Sequence, residues 1–257
     1  MLKGIDHIVV AVPDLETAIT NYSDLGFTVV RGGEHPSIGS HNALIAFQDG
    51  AYIELIAFRK PDVEHRWIQL LKKGGGLVDY CMQTDDLKSD MATFRAAGAT
   101  LTDIMPLSRT RPDGYKLDWV LSAAVGPHQG MAPFLIEDIT PREERVPAQI
   151  EHSNGVTGIG TMTLAVRETD PVRQWYKALL NSEGETVERE DLKATGLRFR
   201  IGPHTFDYLV PQGNASPLRK LLDERDATFY SASLKTTGDA RVLDLQKTLN
   251  ARFSLVS

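Results

Sequence analysis

Residues 4–12, Gly-Ile-Asp-His-Ile-Val-Val-Ala-Val, form an apolar, β-branched run that holds one imidazole and is closed by Pro13 and Asp14. Alternation along a strand puts Ile5, His7, Val9 and Ala11 on one face and Ile8, Val10 and Val12 on the other, so both faces are expected to be covered. A helix follows to Leu25. Asp14 is its N-cap, Leu15, Ala18, Ile19 and Tyr22 recur at helical spacing, and Gly26 stops it. Residues 27–31 read as a short strand and 32–42, rich in glycine, proline and histidine, as a loop. Residues 43–48 and 51–58 read as two strands turned at Asp49-Gly50. The order is strand, helix, three strands.

That order recurs. Residues 78–82 are apolar, Thr84-Asp85-Asp86-Leu87 echoes Val12-Pro13-Asp14-Leu15, and the helix predicted over 87–97 ends at Gly98. The same 72 positions separate Asp14 from Asp86 and Gly26 from Gly98. Strands are expected near 100–104, 116–125 and 132–139, and the polar, proline-bearing stretch 141–154 reads as a linker. A third copy opens at 158–166, which aligns on 4–12 without a gap. Its helix carries Val172, Trp175, Tyr176 and Leu179, with strands near 185–188, 197–201 and 205–210. A fourth is cut short to a strand at 228–235, a helix at 240–249 and a strand at 253–256. A duplicated supersecondary unit of this kind predicts an α+β fold of paired βαβββ modules. The expected division is a first domain over 1–145, a linker over 146–156, and an incomplete second domain over 157–257.

Composition removes several classes of partner. A net charge of −6 over 257 residues gives no basic field for nucleic acid or an anionic membrane surface. The single Cys81 rules out an intramolecular disulfide. With no signal-like N-terminus and no apolar run near ~18 residues, a cytoplasmic protein is expected. A truncated fourth module leaves a sheet edge open, which leaves room for a homodimer.

Overlaying the repeats turns one histidine into a constellation. The 72-residue offset sets Asp79 at the place of His7, and Leu135-Ile136-Glu137-Asp138 matches Tyr52-Ile53-Glu54-Leu55, so Glu137 falls at the place of Glu54. Carboxylates beside apolar strand residues are costly unless compensated. His7, Glu54 and Glu137 are therefore candidate ligands of a divalent ion (Fe, Mn, Zn, Ni or Mg), with Asp79 and Glu137 candidate catalytic carboxylates. The third copy carries Thr161 and Tyr208 at the places of His7 and Glu54, so its role is expected to be structural. Arg109, Arg111 and Lys116 near Tyr115 could take a substrate carboxylate. Cys81 reads as a buried filler.

The first-strand His, the last-strand Glu and the repeat itself resemble the vicinal oxygen chelate superfamily, with its glyoxalase/bleomycin-resistance/dioxygenase-like fold. Gly4-Ile5-Asp6-His7, the loop from Gly32 to Asn42 and Tyr52-Ile53-Glu54-Leu55 resemble its glyoxalase-like domain group more narrowly. The resemblance implies a metal between paired modules, chelating two neighbouring oxygens of a small-molecule substrate. It makes His35, Asn42 and His152 candidate substrate-binding residues. The implied activity is that of a lyase or isomerase of the glyoxalase type, or of an extradiol-type ring-cleaving dioxygenase. A metal-free protein that binds or sequesters a small molecule in the same cleft is the reading from another class.

Overall fold

The first strand, β1 (Leu2–Ala11), is paired on both edges and covered on both faces, as its doubly apolar pattern requires. In the computed structural model of the chain, which describes residues 2–60 and 64–257, β1 is followed by α1 (Leu15–Asp24), β2 (Val30–His35), β3 (Ser40–Ala46) and β4 (Tyr52–Phe58). A helix absent from the sequence reading, α2 (Arg66–Lys72), leads to β5 (Gly76–Thr84), α3 (Leu87–Ala96), β6 (Met105–Thr110), β7 (Lys116–Ser122) and β8 (Phe134–Asp138). The eight strands close into a barrel in the order β1-β4-β3-β2-β6-β7-β8-β5. The repeated caps form as expected: Asp14 accepts from the Thr17 N–H at 2.8 Å and Asp86 from the Ser89 N–H at 3.0 Å.

The stretch expected to be a linker contains a single helical turn, α4 (Arg142–Arg145). The chain then builds β9 (Val156–Ala165), α5 (Asp170–Leu180), β10 (Glu185–Arg189), β11 (Ala194–Ile201), β12 (His204–Pro211), α6 (Pro217–Arg225), β13 (Thr228–Thr236), β14 (Arg241–Val242) and β15 (Phe253–Val256). These strands form an open seven-stranded sheet with β10 and β14 at its edges. One face of that sheet packs on the outer face of the barrel. Ile8, Val10, Tyr80 and Met82 share a buried cluster with Met162, Leu164, Tyr208 and Phe229. Within it the Tyr208 hydroxyl lies 2.7 Å from that of Tyr80 and 2.8 Å from that of Tyr176. No helix among the described residues is long and apolar enough to cross a membrane.

Three local expectations are corrected. Gly32 and Gly33 lie in β2 rather than in a loop. A Cβ on Gly32 would collide with the Asn42 and Arg109 side chains, and one on Gly33 with the Thr110 carbonyl, so the glycines serve close approach between strands. Residues 240–249 are not a helix. Asp244 Oδ1 accepts from the Gln246 and Lys247 N–H groups to make one turn, and Leu249 and Asn250 then take left-handed φ values of 53° and 68°. The strand expected at 100–104 is reduced to a bridge at Leu101, and its partner role passes to β6.

Candidate functional site

The site starts from an irregularity in β1. Ile5 pairs with Met82 and His7 with Cys81, so Asp6 bulges out of the ladder. The bulge moves Ile5 to the outer cluster with Ile8 and Val10, while His7 keeps the inner face with Val9 and Ala11. Just upstream, the Ile5 N–H donates to His204 Nδ1 at 3.0 Å. Gly4, with φ 138°, has no room for a Cβ beside that ring. Asp6 and His7 are thereby brought together, and Asp6 Oδ1 lies 2.7 Å from His7 Nδ1. Burial would raise the Asp6 carboxyl. The guanidiniums of Arg145 and Arg142, with the hydrogen bond to His7, outweigh it and hold Asp6 well below the usual carboxylate range.

Those arginines come from the supposed linker. Arg145 is 4% exposed; its Nη2 donates to Asp6 Oδ2 at 2.8 Å and its Nη1 to the Tyr52 hydroxyl at 2.7 Å. It also clamps Asp138 at the end of β8, and Arg142 pairs with Asp6. Sequence reading missed Asp6, Arg142 and Arg145. A signal was present: an acid beside an imidazole in an apolar strand needs a cation, and two arginines three positions apart were at hand.

The side chains of the first four strands converge inside the barrel. Parallel pairing sets His7 opposite Tyr52 and Val9 opposite Glu54, which brings the β4 carboxylate to the imidazole. Glu54 Oε2 lies 3.5 Å from His7 Nε2, and Glu54 Oε1 lies 4.0 Å from His35 Nε2 on β2. The Asn42 amide on β3 donates to Glu54 Oε1 at 2.6 Å. His35 Nδ1 meets Ser40 Oγ at 3.1 Å. Burial, only partly offset by Glu54, pushes His35 down to about 4, so its ring is neutral at pH 7. The His7 ring stacks on Tyr52 with centroids 4.7 Å apart and meets Phe134 edge-on. Arg109, Trp119 and Ile136 complete the far wall of a chamber of about 60 Å³.

Of the sequence candidates, His7, His35, Asn42, Glu54 and Arg109 share this chamber. Arg111 and Lys116 pair instead with Asp113, Glu144 and Asp118, and Glu137, Asp79 and His152 also lie outside it. Glu137 points outward, accepting from the Leu87 N–H at 2.7 Å at the start of α3, because β8 turns Phe134 and Ile136 into the barrel. Asp79 is held by Arg66 Nη1 and Trp67 Nε1, each at 3.0 Å, and lines a neighbouring cavity of about 380 Å³. His152 is a staple: its Nδ1 accepts from the Thr28 N–H at 3.0 Å and its Nε2 donates to the Ala46 carbonyl at 2.9 Å. Asp6, His7 and Cys81 also come within 4.8 Å of one another. Asp6 is already committed to two guanidiniums, and burial pushes the Cys81 thiol well up, away from a thiolate.

Two imidazole Nε2 atoms thus face one carboxylate at separations longer than a hydrogen bond, each ring fixed through its Nδ1. Residues 5–180 match the family described as a glyoxalase-like domain. A comparison with curated proteins finds no match. Among solved structures, the chain is similar to a hypothetical protein from Staphylococcus aureus at 14% identity and a TM-score of 0.71, covering 100% of this chain and 99% of that one. It is similar to a mutant 4-hydroxymandelate synthase from Streptomyces coelicolor at 14% identity and a TM-score of 0.60, covering 92% and 72% of the two chains. A xylose isomerase-like TIM barrel/4-hydroxyphenylpyruvate dioxygenase fusion protein gives 15% identity and a TM-score of 0.54 over 91% of this chain and 36% of that one. At these identities the three share the fold.

Proposed function

The chain belongs to the glyoxalase-like domain family, and from that premise we propose a divalent-metal-dependent enzyme acting on a small oxygenated metabolite, with His7, His35 and Glu54 holding the ion. The observation that carries this reading is the pair of Nε2 atoms turned toward one buried carboxylate. The donor chemistry fits. His35 is neutral, as a ligand must be, and Asp6 and Ser40 orient the two rings through their other nitrogens. A divalent ion there would supply Lewis acidity and a template for two adjacent substrate oxygens. Asn42 steadies Glu54 through Oε1, and Tyr52, Phe134, Trp119 and Ile136 exclude water around the group.

Between reaction classes, the chamber favours oxygen chemistry of the dioxygenase type. A lyase or isomerase of the glyoxalase type needs a base beside the ion. Asp79 and Glu137 are bound elsewhere, and Glu54 is the one carboxylate lining the chamber among the described residues. Two imidazoles and one carboxylate are the donor set that suits ferrous iron with open positions.

The test is metal analysis of protein incubated with Fe²⁺, Mn²⁺, Zn²⁺ or Ni²⁺ and desalted. Wild type should retain an ion, and His7→Ala and Glu54→Gln should lose it while keeping the far-UV spectrum. A wild type that retains none of the four would leave the metal-free binding protein as the answer. Unchanged metal content in both variants would place the ion elsewhere.

A further inference from the structure

Two residues that line the chamber each carry one buried donor atom without a partner among the described residues. Arg109 is 4% exposed; its Nη2 donates to the Arg145 carbonyl at 2.8 Å and its Nη1 reaches Asn42 Oδ1 at 3.5 Å, but its Nε has no partner among the described residues. Trp119, on the adjacent strand, is also buried, and its indole Nε1 is equally unpartnered. Both residues line the chamber beside His35, whose ring meets Trp119 edge-on at 6.0 Å. A buried donor left without an acceptor loses its hydration and gains nothing in return, so two in one small space mark a place where an acceptor belongs.

Charge points the same way. The Arg145 cation is matched by Asp6 and Asp138, whereas Arg109 faces the chamber with Glu54 as its carboxylate neighbour, and Glu54 is engaged by Asn42. A chamber that also held a divalent ion would carry surplus positive charge. Trp67, Leu107, Leu121 and Phe134 line both this chamber and the neighbouring cavity of about 380 Å³. The walls of that cavity are mostly apolar, and its Arg66 and Asp79 neutralise each other.

We propose that the ligand of this site is an amphipathic carboxylic acid. Its carboxylate is taken by Arg109 and Trp119, an oxygen on the adjacent carbon faces Glu54 and the imidazoles, and an apolar tail up to the size of an aromatic ring lies in the neighbouring cavity. The adjacent oxygen rests on the metal reading above; the carboxylate and the tail do not.

The test is calorimetric titration of chelator-treated and Zn²⁺-loaded protein with 3-phenyllactate, its methyl ester and lactate. The acid should bind at least tenfold tighter than its ester, the factor expected from one charge-assisted hydrogen bond, and at least tenfold tighter than lactate, which keeps the carboxylate but has no tail to bury. Arg109→Gln should erase the preference for acid over ester, Arg109→Lys should retain part of it, and Trp119→Phe should weaken acid binding while leaving the ester unchanged. An ester bound as tightly as the acid by wild type overturns the proposal, whether or not any variant folds. So does a failure of all three compounds to bind either form. Acid binding that depends on Arg109 in a protein retaining no metal would uphold this assignment and overturn the metal reading alone.

Discussion

The two halves of the barrel share a backbone plan and differ in chemistry. Each begins with a strand that pairs in parallel with the last strand of its own half, β1 with β4 and β5 with β8, and each caps its helix with an Asp. The inner faces then diverge. The first half delivers His7, His35, Asn42 and Glu54, whereas the second delivers Arg109, Trp119, Phe134 and Ile136. His7 lies opposite Tyr52, and its counterpart by register is Cys81 opposite Phe134, which makes Ile136 the counterpart of Glu54. A duplicated fold therefore need not build a symmetric site. One wall holds the imidazoles and the carboxylate, and the other offers apolar surface and two donor atoms, Arg109 Nε and Trp119 Nε1, without a partner among the described residues.

The largest expected effect lies at the seam between the halves. Arg145 ties Asp6 and Tyr52 of the first half to Asp138 of the second, and it is almost fully buried. Arg145→Ala leaves Asp6 without the more deeply buried of its two counter-charges, and breaking such a pair costs about 3–5 kcal/mol. Arg142→Ala should cost less, because the Arg142 side chain is 22% exposed. Denaturant unfolding of both variants checks the order. A loss under ~1 kcal/mol for Arg145→Ala would mean that the halves are joined by apolar packing alone.

A smaller effect should separate the walls by pH. His35 has a folded value of about 4 against an ordinary 6.5, so between those values the unfolded chain binds the extra proton. Its contribution to stability is present above pH 6.5 and is lost as the pH falls toward 4. A shift of that size corresponds to roughly 3 kcal/mol. Asp6, held well below 3.8, keeps its charge through the window. Metal-free wild type should therefore lose more stability between pH 6.5 and 4 than His35→Asn does. Parallel curves for the two proteins would show that the ring is not buried as a neutral group.

Local patterns and the pairing within one module were readable along the chain, and contacts between modules were not. The Asp14 and Asp86 caps and the doubly apolar first strand follow from neighbouring residues and appear as expected. The approach of His7 to Glu54 was also legible, because a parallel first and last strand brings their residues together in any module of this kind. Glu137 was misplaced because period-two alternation carries no register. One position separates it from Ile136, and that step turns the side chain out of the barrel. Gly32-Gly33 read as a loop because its reason, the closeness of Asn42, Arg109 and Thr110, lies up to 77 positions away. Arg145 looked like linker because it follows Pro141-Arg142-Glu143-Glu144 and precedes Val146-Pro147, a charged, proline-bearing stretch, yet its partner Asp6 lies 139 positions upstream.

The smallest predicted effect bears most directly on the asymmetry. If the second half supplies no ligand, Glu137 serves only the start of α3, where its carboxylate meets the Leu87 N–H and the positive end of the helix. Glu137→Gln keeps an acceptor and removes the charge, which should cost about 0.3–1 kcal/mol at low salt and less as salt is added. Glu137→Ala removes the acceptor as well and should cost about 1 kcal/mol, the value of a lost helix cap. Both variants should retain as much metal as wild type in the assay that Glu54→Gln fails. A Glu137→Gln protein that folds normally but has lost its ion would show that β8 reaches the centre after all, and the barrel would then be symmetric in its chemistry as well as its backbone.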